Sequence, residues 1–240
     1  MNSTIIVVIC IVILFAILII ILSGIYRANK ANRESISTEN VVCAGSVDNS
    51  YPATVKIKIP NDPKKYGGNI SKEEMDSLSR FIVKGNSMQY AKINPDDLIY
   101  VKEMDLETLR HNLPKITLLK FDAKSPKLAD KKIRRTWSII DSNISDDDFN
   151  DTLDTILGST TFHELRYNMG KKCPSNEILK RVALERLHNY KDAHYHNNED
   201  AIEDLLLSTT FRTEDDCLEF SIHPASALQG VVVYVSHLLT

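Results

Sequence analysis

The sequence predicts a mainly β domain carrying a helical insertion at about 145–215, preceded by one N-terminal transmembrane helix. Three observations predict this. Ile5–Leu22 is a run of 18 residues without a polar side chain. Short runs of β-branched and aromatic residues recur up to Ile140 and again from Leu218 to Ser236. Between them, after Ser145, apolar residues adopt helical spacing.

The apolar run comes first. At about 1.5 Å per residue it spans roughly 27 Å, and Ser23–Tyr26 extend it to about 33 Å, enough for a hydrocarbon core of about 30 Å. A cleaved signal peptide would want a basic residue before the run and a small-residue cleavage site after it. The sequence has neither. Arg27, Lys30 and Arg33 follow the span, and positive flanks stay cytoplasmic. The expectation is a single-pass anchor at 1–26, with the N-terminus outside and the body of the chain in the cytoplasm. The bilayer is then one partner.

Residues 27–44 begin polar and charged and read as a juxtamembrane linker, closing on the apolar patch Val41–Ala44. The domain proper is expected over 45–240. Its residues, roughly 210 after the anchor, suit one domain with an insertion or two small ones. Lys and Arg total 29 against 32 Asp and Glu, a net charge of -3, so nothing in the bulk charge argues for nucleic-acid binding. Cys10, Cys43, Cys173 and Cys217 are widely spaced, with no CxxC and no zinc pattern, as suits a reducing compartment. No metal or cofactor is implied.

Within the domain, Tyr51–Ile59 alternates as a half-buried strand, and Pro60, Pro63, Gly67 and Gly68 mark a loop. Ser71 and Glu74 have capping-box spacing before a short helical turn at Lys72–Leu78. Strands are expected at Phe81–Lys84, Asp97–Lys102, Ile116–Phe121 and Lys132–Ile140. Ser145 then caps a helix with Asp146, Asp147 and Asp148 in its first turn. Phe149, Leu153, Ile156 and Leu157 share its apolar face, and Gly158 ends it. Ser175 caps a second helix carrying Ile178, Leu179, Val182 and Leu187, and a third is expected from about Glu199 to Leu207. Strands return at Leu218–Ile222 and Gly230–Ser236. His188, His194 and His196 read as the polar end of a helix rather than a metal site, and Glu214–Asp216 as a solvated turn.

The chemically informative stretch is Phe81–Val101, FIVKGNSMQYAKINPDDLIYV. A strand ends at Gly85, and Ser87 follows on a turn, with Met88 beside it. A serine there is exposed, and nearby N–H groups can face a developing oxyanion. This stretch resembles the nucleophile region of the LexA/UmuD-like Ser/Lys peptidase family. Val83, Gly85, Ser87 and Met88 match its V-x-G-x-S-M element; Ile93, Asp97, Leu98 and Val101 match its I-x-x-G-D-L-h-x-V element. Asp96 stands where the family has Gly. The resemblance covers roughly Val41–Ile140 and Leu218–Ser236, so the helical block is an addition to it.

The resemblance implies Ser87 as nucleophile, with Gly85 and Met88 supporting the turn and the oxyanion. It also implies a lysine base at the start of a later strand. A serine hydroxyl needs a base, and lysine serves only when burial lowers its pKa. Lys131 in Lys131-Lys132-Ile133-Arg134-Arg135 is the first candidate, Lys132 the second and Lys124 the third. Ser87 and Lys131 are 44 residues apart, at the long end for the family. Ala44-Gly45, after the linker, resembles the bond that self-cleaving members cut.

Three functions are therefore expectations to weigh. The first is a membrane-tethered Ser/Lys serine peptidase that cuts itself at Ala44-Gly45 and releases its cytoplasmic domain. The second is a catalytically inactive sensor or interaction module of the same fold. The third is a signal-peptidase-like enzyme, although Gln89 and Tyr90, not Pro, follow Ser87-Met88. A protein partner at the helical insertion and a second copy of the chain stay open as partners.

Overall fold

The computed structural model describes residues 19, 21–23, 36–44, 54–60, 72–121, 130–195, 203–212 and 217–237. The expected anchor lies outside the described residues, apart from Ile19, Ile21, Leu22 and Ser23, which are helical and exposed. Among the described residues no helix is long and apolar enough to cross a membrane. The chain divides into two compact units, one holding 1–39 and 56–72, the other 40–55 and 73–240. In the first unit the described strand residues are 36–39 and 56–60.

The second unit is built on a sheet. Its strands are β1 (Ile36–Ala44, of which 40–44 belong here), β3 (Ser79–Val83), β4 (Leu98–Lys102), β5 (Lys115–Phe121), β6 (Asp130–Ile140), β7 (Leu205–Arg212), β8 (Cys217–Pro224) and β9 (Leu228–Ser236); β2 is Thr54–Pro60. Seven of them form an antiparallel array in the order β3-β4-β9-β5-β6-β7-β8. The end of β1 joins β3 in parallel, with Val42, Cys43 and Ala44 opposite Phe81, Ile82 and Val83. The short helix α1 (Lys72–Asp76) leads into β3, and α2 (Leu106–Arg110), capped by Asp105, separates β4 from β5.

The strands expected from β-branched and aromatic runs are present, and β4 is buried from Leu98 to Val101, with Leu98, Ile99 and Tyr100 all 0 % exposed. β1 extends back into the stretch read as linker, beginning at Ile36. Register shifts at Tyr100/Val101, Leu118/Leu119 and Thr136/Ser138 bend the array, as bulges do. Its curvature is measurable. β3 and β6 are four steps apart in the sheet, about 19 Å in a flat one. Yet Lys131 Nζ on β6 lies 4.6 Å from the ring centroid of Phe81 on β3. The sheet must curl for those side chains to meet. Inside the curl, Phe81, Val83, Ile99, Val101, Leu118 and Ile133 share one core with Met88 and Ile93.

The helical block follows β6. α3 (Asp146–Leu157) begins at Ser145, whose hydroxyl accepts from Asp148 N, and buries Phe149, Leu153, Ile156 and Leu157 as expected. Gly158 ends it with an ordinary φ of -84°, so its role is space: a Cβ would lie 3.2 Å from the Asp154 carbonyl oxygen. α4 (Thr160–Met169), which the sequence reading left unassigned, is capped by Ser159 and buries Phe162, Leu165 and Met169. α5 (Asn176–Tyr195) is the second expected helix. These helices cover the face of β6, β7 and β8 formed by Trp137, Leu205, Leu207, Leu218 and Phe220. Trp137 meets Phe162 edge-on at 5.4 Å, and Phe162 stacks on Phe220 at 6.0 Å.

The third expected helix is a correction. Leu205–Leu207 belong to strand β7, so the described helices of the insertion end at Tyr195. Helical and strand periods cannot be told apart in three consecutive leucines. Here all three are buried because β7 lies between β6 and β8 with apolar groups on both faces.

Gly230 is required where β9 approaches β4. A Cβ there would meet the Lys102 carbonyl oxygen at 2.3 Å and Val101 Cγ1 at 2.8 Å. Gly230→Ala should therefore lower stability by about 1–3 kcal/mol, read from denaturant unfolding of the full chain. An unchanged midpoint would show that β9 does not approach β4 this closely.

Candidate active site around Ser87

The turn between β3 and β4 is pinned from both ends. Val83 N donates to the Asp97 carbonyl (2.9 Å), and Asp96 N donates to the Val83 carbonyl (2.7 Å). Asp97 is buried, and its carboxylate accepts from Asn94 N (2.7 Å) and bonds His237 Nδ1 (2.9 Å) at the end of β9. Met88 and Ile93, each 1 % exposed, insert into the core inside the curl. Ala91 N and Ile93 N both donate to the Met88 carbonyl. Ser87 is thus the residue before a buried anchor, and it stays half-exposed with Gly85 beside it.

Asp96 does not distort the turn. Its φ is 69°, the left-handed conformation for which glycine is the usual residue and which aspartate tolerates. The aspartate adds a contact glycine lacks: its carboxylate accepts from Lys84 Nζ at 2.7 Å, tying the exit of β3 to the entry of β4.

Among the described residues, the Ser87 hydroxyl has no hydrogen-bond partner, and the Ser87 and Met88 backbone N–H groups donate to no protein acceptor.

The lysine candidates separate by face. Lys131, Ile133 and Arg135 alternate along one face of β6, and Ile133 belongs to the core that holds Met88. Lys131 lies over Phe81, and among the described residues no carboxylate pairs with it. Burial, and then the Lys120 ammonium directly opposite on β5, hold its pKa below the ordinary lysine value. Lys132 lies on the other face with Arg134, close enough that both act on His223. Lys124 lies outside the described residues. No hydrogen bond joins Lys131 to Ser87.

Ala44 ends β1 opposite Val83 in a parallel register, so both chains leave the sheet at the same end. Val83 leads within four residues to Ser87. Gly45 lies outside the described residues.

One contact was not legible beforehand. Tyr90, in the 3-10 turn Gln89–Ala91, reaches from the core inside the curl to the helical block. Its hydroxyl donates to Met88 Sδ (3.2 Å). Thr209 Oγ1 on β7, 2.8 Å away, must then donate to Tyr90, because the phenol has one proton and thioether sulfur only accepts. Burial pushes the Tyr90 phenol up, opposed by Thr209, Arg135 and Arg134.

A serine–histidine contact lies on β8, where Ser221 Oγ and His223 Nε2 are 2.9 Å apart. Burial, Arg134 and Lys132 lower the His223 pKa to about 3, and Ser221 also bonds Ser208 and Thr210. This is a hydroxyl network within the sheet. Among the described residues no group of His, Cys, Asp and Glu forms a metal site; His188 Nε2 instead bonds Asp146 at 2.8 Å, and His196 lies outside them.

Two outcomes check this geometry. Asp96→Gly should stay within about 1 kcal/mol of the parent, because a half-exposed ion pair contributes that little. Asp96→Val should cost about 1–2 kcal/mol, since a branched side chain resists positive φ. Equal losses in thermal unfolding would contradict the assignment. For His223 the folded pKa lies below the unfolded value of about 6.5, so stability should fall as pH drops from about 6.5 toward 3. His223→Gln should flatten that fall; an unchanged acid profile would argue against a neutral, buried His223.

Compared with protein-family models, curated proteins and solved structures, the chain matches none.

Proposed function

We propose that the chain is a LexA-like serine peptidase, tethered to a bilayer by Ile5–Leu22 with its domain in the cytoplasm, that cuts its own Ala44-Gly45 bond. The carrying observation is the register of β1 on β3. It brings Ala44 beside Val83, at the end of the strand that leads into the Ser87 turn. A bond held in the same molecule benefits from a high effective concentration, so a modestly activated nucleophile suffices.

The chemistry runs as acyl transfer. Neutral Lys131 takes the Ser87 proton as Ser87 Oγ attacks the Ala44 carbonyl carbon. The Ser87 and Met88 N–H groups stabilise the oxyanion. The C–N bond breaks, the Lys131 ammonium returns its proton to the Gly45 amine, and an ester joins Ala44 to Ser87. Water, deprotonated by Lys131, then hydrolyses that ester. Catalytic hydrogen bonds often tighten only when substrate is bound, which accommodates the absence of a hydrogen bond between Ser87 and Lys131.

The missing Ser87–Lys131 hydrogen bond favours a second reading, an inactive interaction module on the same fold. The two separate in cells. In the peptidase reading, wild type yields a soluble fragment beginning at Gly45, Ser87→Ala and Lys131→Met yield none, and Lys132→Met still cleaves. A wild type that stays full-length and membrane-bound under every condition tried, or a Ser87→Ala variant that cleaves equally, supports the inactive module. Topology reporters on the C-terminus address the third, signal-peptidase-like possibility, which requires the domain outside.

The base assignment has its own sign. Lys131 acts when neutral, so cleavage should rise with pH to a plateau, with a midpoint below about 10.4. Lys120 is the second cause of the lowered pKa. Lys120→Gln should therefore move that midpoint upward and slow cleavage at neutral pH, more at low salt than at high. A midpoint that does not move excludes Lys120–Lys131 repulsion as a contributor.

A further inference from the structure

The helical block meets the nucleophile turn directly, through one side chain. α4 packs against the turn Gln89–Ala91, and Tyr90 touches both the core inside the curl and the core under the helices. Its hydroxyl stands in a three-membered chain, from Thr209 on β7 to Tyr90 to the Met88 sulfur. Thr209 is 1 % exposed, so its hydroxyl would be left without water or partner if Tyr90 moved away. Met88 is covalently joined to Ser87. A shift of β7 or α4 is thereby passed to the residue beside the nucleophile.

We propose that Tyr90 is a positioning residue that couples the insertion, through β7 and α4, to the Ser87 turn, so that the insertion sets the reactivity of Ser87. This rests on reading Ser87 as the nucleophile. It makes the insertion part of the active machinery instead of an appended partner surface. The coupling is short-range and specific. The Tyr90 ring supplies packing to both cores, while its hydroxyl supplies direction, because a hydrogen bond fixes the ring against one strand. A misplacement on the order of 1 Å at a nucleophile costs up to about a hundredfold in rate, so a small displacement is enough.

The hydroxyl can be tested apart from the ring. The full-length chain in detergent is labelled with a fluorophosphonate serine probe, and amide hydrogen exchange is followed across residues 86–93. Tyr90→Phe keeps the packing and removes the bonds. We expect its plateau labelling rate to fall about tenfold with the pH midpoint unmoved, as repositioning without a change of base requires, and exchange across 86–93 to accelerate. Thr209→Val should reproduce both effects. The double variant should be no worse than either single one, because both remove the same link. Labelling within about twofold of wild type, with unchanged exchange, overturns the proposal. If wild type itself takes no probe, the nucleophile reading falls, and exchange decides the tether alone. Faster exchange in Tyr90→Phe then supports the coupling, and unchanged exchange overturns it.

Discussion

Burial of Met88 is the constraint on which the site depends. A methionine side chain with 1 % exposure must have a cavity shaped for it, and here that cavity exists only because the sheet curls. Three register shifts and the close approach at Gly230 supply the curvature. Once Met88 is inserted, the preceding residue is forced to the rim. Ser87 stays half-exposed because its neighbour is buried. The turn cannot drift, since Val83, Asp96 and Asp97 lock its two ends and Tyr90 braces its far side.

The same curl creates the electrostatic problem at Lys131. Two lysines in one sheet, Lys84 and Lys131, are both half-buried. Lys84 is neutralised by Asp96 at 2.7 Å. Lys131 faces Lys120 across the strand pair and an aromatic ring below, with no carboxylate among the described residues. A ring offers a cation about 0.5–2 kcal/mol, less than a desolvated ammonium needs, so the neutral amine gains ground. Burial and the facing Lys120 ammonium lower the Lys131 pKa, and perturbed titration of this kind is frequent at functional sites. That contrast distinguishes Lys131 from Lys84.

Much of this was legible in the sequence for identifiable reasons. Strands β3 to β6, β8 and β9 announced themselves through β-branched and aromatic runs between Gly, Pro and Asn. α3 was legible because its cap, acidic first turn and apolar face agree. β7 was not, since its three leucines fit either period until both faces are known to be covered. α4 is less legible because it is short and only Phe162, Leu165 and Met169 mark its buried face. Asp96 looked like a departure in one dimension; its positive φ and its bond to Lys84 make it a substitute for glycine. The sequence ranks Lys131 ahead of Lys132 only through the resemblance; that the two lie on opposite faces of β6, with Lys131 on the face of Ile133, depends on which side the core lies. Tyr90 carried no signal at all: its partner Thr209 is 119 residues away.

The central claim is that Lys131 is poised to act as a base toward Ser87. The direct measurement is the Lys131 side-chain titration, followed by NMR of a labelled Ser87→Ala variant so that cleavage cannot intervene. The expected result is a pKa below that of an ordinary lysine, set first by burial and then by the facing Lys120 ammonium. A midpoint at about 10.4 would mean a fully solvated ammonium and would contradict it.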